Sequence, residues 1–102
     1  MHEKRQHPRV VVDLPASMEV DGSEAFPVFL RDASVGGAFL ETPEALAFGA
    51  RVTVIVSLPG LADARLPGIV RWNKPTGLGV QFDLLGARET HALTTLMRGN
   101  PR

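Results

Sequence analysis

Apolar and polar residues alternate along most of the chain, a period of two that is typical of β-strands with one face in a core. The clearest run is 52–57, where valine occupies every second position. Turn residues such as Asp21-Gly22 and Pro59-Gly60 bound the runs. The pattern predicts six strands, at about residues 16–20, 26–31, 38–41, 52–57, 65–72 and 78–82. Six short strands joined by close turns favour an antiparallel barrel or sandwich, and a barrel leaves few sheet edges open.

The period changes near the C-terminus, where an apolar stripe at helical spacing replaces the alternation. Its apolar members are Leu85, Ala92, Leu93, Leu96 and Met97. Glu89 is a polar exception on the stripe, Asp83 is a candidate N-cap, and Gly99 begins the Gly-Asn-Pro sequence that ends the helix. The stripe predicts a helix at about residues 86–98 that covers apolar surface of the strands.

The composition excludes several classes of protein. The 102 residues are enough for one domain with a modest core. No apolar run reaches the roughly 18 residues of a membrane helix, and the polar N-terminus is unlike a secretory signal. There are no cysteines, which excludes disulfides and thiolate metal sites, and the three histidines lack the spacing of a metal site. We expect a cytoplasmic protein with no membrane partner and no bound metal.

Charge is distributed unevenly, although the formal net charge is zero. Residues 1–9 contain three basic residues and one acidic residue, whereas residues 10–102 contain eight basic and ten acidic ones. Proteins that bind long nucleic acids usually carry a broad basic field. A short basic arm on a slightly acidic body is better suited to a small anion, so we expect no extended nucleic acid as a partner.

Two arginines stand four residues apart in the arm, at Arg5 and Arg9. Pro8 disfavours a helix at the preceding residue, so we expect an extended segment in which both guanidinium groups can point the same way. Each guanidinium offers a fork of donors that matches phosphate oxygens or the O6 and N7 acceptors of guanine. Taken alone, however, such a pair is more often a solvated basic terminus.

A polar loop with the sequence Asp-Ala-Ser-Val-Gly-Gly lies between two predicted strands, at residues 32–37. As a ligand site, Asp32 would accept guanine amino or imino protons, and Ser34 would offer a hydroxyl. Gly37 would allow close approach to the backbone. Taken alone, a hairpin turn is the commoner interpretation, because Asp, Ser and Gly are ordinary turn residues.

In combination these features resemble the PilZ domain family, and the resemblance covers nearly the whole chain. It rests on R-x-x-x-R at 5–9, D-x-S-x-x-G followed by Ala-Phe-Leu at 32–40, Val-Arg-Trp at 70–72 and Gly-Val-Gln-Phe at 79–82. It implies an all-β fold, a six-stranded antiparallel β-barrel with a C-terminal α-helix packed against it. We accordingly treat 1–102 as a single domain, with a flexible basic arm at 1–9, the barrel at 10–83 and the helical segment at 84–98.

The resemblance also implies binding of cyclic di-GMP, a bacterial second messenger. Arg5 and Arg9 match the ligand-clamping arginines of the family, while Asp32, Ser34 and Gly37 match its loop determinants. Four neighbouring residues are further candidates for the ligand site: Lys4, Gly36, Arg71 and Trp72.

Three of these further candidates leave alternatives open. Many relatives have arginine where Lys4 stands, and a basic residue there goes with two stacked nucleotides instead of one. Lysine keeps the charge but lacks the planar fork. Arg71 is either a rim residue or a supplementary phosphate contact. Trp72 is either a core aromatic at the end of the barrel or a ring that stacks on a base of the ligand.

We therefore expect a cyclic di-GMP sensor and adaptor, whose arm closes over the ligand and whose altered surface is read by an unidentified effector protein. No nucleophile pattern is present, so no enzyme is expected, and no cofactor is implied. An alternative is a PilZ-like interaction module that does not use the nucleotide, which the intact signature disfavours. A small barrel that binds oligonucleotides would need net positive charge and several exposed aromatics, whereas the chain has one Trp and no Tyr.

Overall fold

The computed structural model describes residues 9–99 and confirms the predicted fold. Its elements are β1 (Val10–Val20), β2 (Phe26–Ala33), β3 (Gly37–Glu41), β4 (Arg51–Leu58), β5 (Leu61–Lys74), β6 (Gly77–Phe82) and α1 (Ala87–Gly99). Neighbouring strands are antiparallel, and they close into a barrel in the order β1-β2-β3-β6-β5-β4. Residues 1–8, which include most of the predicted arm with Lys4 and Arg5, lie outside the described residues.

The inward faces of the strands fill one hydrophobic core, which is the physical basis of the alternation in the sequence. The largest fully buried side chains are Met18, Leu30, Leu40, Leu66, Leu78, Leu93, Val54 and Val70. The helix packs on β5, β1 and β4, and it contributes Ala92 and Leu93 to the core. It begins and ends one residue later than the predicted 86–98. No helix among residues 9–99 is long and apolar enough to cross a membrane.

Two strands are longer than the sequence pattern indicated. β1 begins at Val10 instead of residue 16, because the alternation continues through Val12 and Leu14, which pack against the core, and a bulge near Asp13 shifts only the pairing with β2. β5 begins at Leu61 instead of residue 65, and its pairing with β4 is shifted near Asp63 in the same way. The φ angles of the two aspartates are 50° and 52°, in a region that aspartate enters more readily than most residues.

A further bulge lies on β2, next to β3. Leu30 pairs with Leu40 and Asp32 pairs with Phe39, so Arg31 is an extra residue in β2. With strict alternation from the buried Leu30, Asp32 would face the core. The extra residue turns Asp32 to the outer face instead, which is how bulges commonly redirect a side chain.

A matching bulge lies on β5, next to β6. Val70 pairs with Val80 and Trp72 pairs with Gly79, so Arg71 is the extra residue here. Strict alternation from the buried Val70 would carry Trp72 into the core, and the bulge turns it outward. The two bulges flank the β3–β6 pair on either side.

The bulges create a row of residues across the outer face of four neighbouring strands. This outer row consists of Asp32 on β2, Phe39 on β3, Gly79 on β6 and Trp72 on β5, each paired with the next. Gly79 has no side chain, so the two aromatic rings beside it can approach each other. The outer row forms one side of the candidate site.

Replacing Leu66 by alanine should destabilise the protein strongly, because its side chain is completely buried in the barrel. Such a change typically reduces the free energy of unfolding by about 2–5 kcal/mol. Leu84→Ala is the matched control, since Leu84 is 100% exposed and its loss should change that free energy by less than about 0.5 kcal/mol. Urea denaturation measures both variants, and an equal loss in the two would contradict the burial pattern.

Candidate ligand-binding site

A cleft of about 790 Å³ lies between the loop that joins β2 to β3, strands β5 and β6, and the segment leading into α1. Most of the residues selected from the sequence line it: Arg9, Ser34, Gly36, Gly37, Arg71 and Trp72. Asp32 lies beside the cleft and contacts it through Arg9. Lys4 and Arg5 lie outside the described residues, so their place at the cleft stays a prediction.

Ser34 organises the loop between β2 and β3 from a buried position. Its backbone N–H donates to the Gly37 carbonyl oxygen at 2.8 Å, and its Oγ accepts from the Gly36 N–H at 3.1 Å. The Gly36 carbonyl oxygen accepts from the N–H of Phe82 on β6 at 2.9 Å. These bonds tie the loop to itself and to β6, so the loop presents a fixed backbone edge to the cleft.

Gly37 is required by packing, independently of any ligand. A Cβ at this position would overlap the carbonyl oxygen of Val80 on the paired strand β6. No larger residue fits there unless β3 moves away from β6. The turn interpretation and the ligand interpretation of the loop are therefore compatible, because the same serine and glycine shape the turn that lines the cleft.

The two sequence motifs meet in one ion pair. Arg9 Nη1 donates to Asp32 Oδ1 at 2.7 Å, and the two side chains are 30% and 27% exposed. Partial burial makes a charge-assisted bond of this kind stronger than one in open water. Asp32 is available for it because the bulge at Arg31 turns its carboxylate outward. The pair holds the Arg9 guanidinium at the rim of the cleft.

Trp72 is an aromatic platform on the outside of the barrel, and the alternative that placed it in the core is wrong. It is 36% exposed, and its ring stacks on Phe39 with centroids 5.5 Å apart and planes inclined by 9°. A Cβ on Gly79 would overlap the indole, so the glycine lets the ring lie against the backbone of β6. The Arg9 Cζ atom lies 5.9 Å from the Trp72 ring centroid, within range of a cation–π contact.

Lys74 is a neighbour of the cleft that the sequence reasoning missed. Its Nζ atom lies 5.3 Å from the Trp72 ring centroid, so the platform has a second cation beside it. No bulge separates Lys74 from Trp72 on β5, and a spacing of two places both on the same face of the strand. The spacing could have identified Lys74 once Trp72 was known to face outward.

The positive charge around the cleft is not fully neutralised by the carboxylates of residues 9–99. Asp32 and Asp83, the carboxylates at the cleft, are each engaged by an arginine. Arg71 and Lys74 have no carboxylate within ion-pair distance among residues 9–99. Within that part of the chain, no group of three or more His, Asp or Glu could hold a metal ion. Free cations beside an exposed ring suit an anionic ligand with an aromatic surface.

Comparison with known proteins identifies one family. The family model of the PilZ domain matches residues 3–99. Among solved structures, the chain is similar to the PilZ domain of CeSA from a cellulose synthesizing bacterium, with a TM-score of 0.71 and 20% identity. That match covers 90% of this chain and 96% of the other. No curated protein matches the chain.

Two longer proteins contain a similar fold. PlzA of Borreliella burgdorferi, solved in complex with c-di-GMP, matches with a TM-score of 0.71, 16% identity and coverage of 92% of this chain and 41% of PlzA. The inhibitor of motility MotI/DgrA of Bacillus subtilis matches with a TM-score of 0.71, 19% identity and coverage of 95% of this chain and 50% of that protein. This chain thus spans half or less of each, and at these identities the likeness shows the fold.

Gly79→Ala should push Trp72 off the backbone of β6, because the added Cβ would overlap the indole, a side chain that can move. We expect the emission of Trp72, the one tryptophan of the chain, to shift to longer wavelength, with an unchanged far-ultraviolet circular dichroism spectrum. Gly99→Ala is the matched control, because nothing lies within 4 Å of a Cβ at that position. Unchanged emission in Gly79→Ala would show that Gly79 does not seat the ring.

Proposed function

The chain belongs to the PilZ domain family, and on this basis we propose that it is a receptor for cyclic di-GMP that signals to a partner protein. The observation that carries the proposal is the ion pair between Arg9 and Asp32. It joins the arginine motif and the loop motif of the sequence at one cleft. The exposed Trp72 and the cation Arg71 line the same cleft, and a second cation, Lys74, lies against the Trp72 ring; neither cation has a carboxylate partner among residues 9–99.

Cyclic di-GMP carries two phosphates and two guanines, and the cleft offers partners for both kinds of group. Asp32 engages one N–H donor of Arg9, so the remaining donors are available for a phosphate or for guanine O6 and N7. The second carboxylate oxygen of Asp32 can accept from a guanine N–H group. Trp72 supplies a face on which a base can stack, a contact worth about 1–3 kcal/mol.

The proposed ligand set follows from the two motifs and from the walls of the cleft. It consists of Arg5, Arg9, Asp32, Ser34 and Gly37, with Lys4, Gly36, Arg71 and Trp72 around them and Lys74 added by its position. An extended chain covers about 13 Å in four residues. Arg5 can therefore reach the cleft from Arg9, and the two arginines would clamp the nucleotide between the arm and the barrel.

We assign this receptor the role of a cytoplasmic adaptor rather than an enzyme. Binding would bring two negative phosphates to a surface that carries free cations, and it would engage Arg9 in new contacts. An effector protein can read such a change in charge and shape directly. The complex of PlzA with c-di-GMP and the motility inhibitor MotI are structural neighbours that support a signalling role for this fold.

Calorimetric titration with cyclic di-GMP tests the proposal. We expect micromolar affinity for the wild type, about −8 kcal/mol. The double variant Arg5→Ala/Arg9→Ala loses charge-assisted bonds worth about 1.5–3 kcal/mol each, so its binding should be weaker by about 100-fold or more. Arg88→Ala/Arg98→Ala is the matched control, because it removes the same charge from exposed positions of α1 and should bind as the wild type does.

The possible results separate the parts of the proposal. No heat from the wild type at tens of micromolar nucleotide would contradict it and would favour an interaction module that does not use the nucleotide. Equal binding by the wild type and Arg5→Ala/Arg9→Ala would show that the protein is a receptor but does not use the arginine clamp. The fitted stoichiometry, compared with that of Lys4→Arg, decides between one nucleotide and two.

A further inference from the structure

Arg71 and Phe48 form a contact at the edge of the cleft. Arg71 lines the cleft, and its Cζ atom lies 5.6 Å from the ring centroid of Phe48. Phe48 belongs to the loop between β3 and β4, residues 42–50, and does not itself line the cleft. We propose that Phe48 is a positioning residue, which holds the Arg71 guanidinium so that it binds a phosphate of cyclic di-GMP. This inference rests on the proposed function.

Packing into the core does not explain why a large apolar side chain occupies position 48. The residue is 69% exposed and is not among the side chains that pack against the core. Burial is the usual reason for a large apolar side chain in a small domain. The ring of Phe48 instead contacts a guanidinium, and a cation within about 6 Å of an aromatic centroid is attracted by the ring. The contact with Arg71 thus gives Phe48 a role that burial does not.

Three hydrogen bonds fasten the loop to β5 on both sides of Arg71. Two of them join the backbone of Val70 to the two loop residues that follow Phe48, at 2.7 and 3.0 Å. The third runs from Asn73 Nδ2 to the carbonyl oxygen of Leu46, at 3.0 Å. These bonds lie before and after Arg71 on the strand, and before and after Phe48 on the loop. They therefore fix the backbone that carries each side chain of the pair.

Arg71 differs from the other arginines of the barrel strands in its partners. Arg31, Arg51 and Arg65 each have a carboxylate oxygen within 3.4 Å. Arg71 has none within ion-pair distance among residues 9–99. A contact with an aromatic ring occupies no carboxylate or phosphate acceptor, so the N–H donors of the guanidinium can still bind an anion. Phe48 therefore orients a cation whose donors stay available for phosphate oxygens.

A double-mutant cycle on cyclic di-GMP affinity tests the inference. Phe48→Leu keeps an apolar side chain but removes the ring, so it should weaken binding about two- to fivefold. Phe48→Tyr keeps the ring and should bind as the wild type does. In an Arg71→Ala background, Phe48→Leu should cause no further loss, because Phe48 acts through Arg71.

Phe29→Leu is the matched control for the loss of a ring beside an arginine. Arg31 Cζ lies 5.2 Å from the Phe29 ring centroid, so the chain contains a second pair of the same type. Neither residue lines the cleft, and Arg31 is already engaged by Asp13 and Glu41 at 3.4 Å. Phe29→Leu should therefore leave the affinity for the nucleotide unchanged.

A second measurement detects the contact without the nucleotide. The Nε–Hε resonance of Arg71 should carry a ring-current shift that disappears in Phe48→Leu and persists in Phe48→Tyr. If the wild type binds and Phe48→Leu binds equally well, or weakens binding equally with and without Arg71, the inference is overturned while the proposed function stands. If the wild type does not bind, the proposed function fails, and the positioning role fails with it.

Discussion

One extra residue in each of two strands determines which side chains the barrel turns outward. Side chains alternate strictly along a strand, so a shift of one position moves every following side chain to the other face. Arg31 and Arg71 are these extra residues, on the strands that flank the β3–β6 pair. Without them Asp32 and Trp72 would face the core, where an unpaired carboxylate is costly. With them, both side chains stand beside the cleft.

Besides the two bulges, the proposed site requires the glycine at position 79 on β6. A strand glycine weakens a sheet, because it adds no packing and has more freedom to lose on folding. At Gly79 the ring of Trp72, which stacks on Phe39, covers the gap, and an aromatic ring over a strand glycine restores stability. The same contact leaves a flat ring at the surface, beside the Arg9 guanidinium. The residues that stabilise this part of the barrel therefore also form the platform of the proposed site.

The strands and the helix were predictable from the sequence, because the positions that face the core repeat at a regular spacing and are occupied by apolar residues. The start of β1 was not, since Val11 is apolar although it is exposed, and Pro15 is unusual within a strand. The outward orientation of Trp72, and with it the position of Lys74, could not be predicted, because the composition does not reveal a bulge. Arg9 and Asp32 were selected through their motifs, but their ion pair joins positions 23 residues apart and needed the folded barrel to become visible.

The proposed binding site of cyclic di-GMP lies where the loop at 34–37 meets the Trp72 platform. Chemical-shift mapping by NMR during titration with cyclic di-GMP tests this position of the site. We expect the largest changes at the amides of 34–37, at Gly79 and at the Trp72 indole N–H, with little change along the groove between α1 and the turn at 59–60. The largest changes in that groove, with the loop and the indole unaffected, would contradict it.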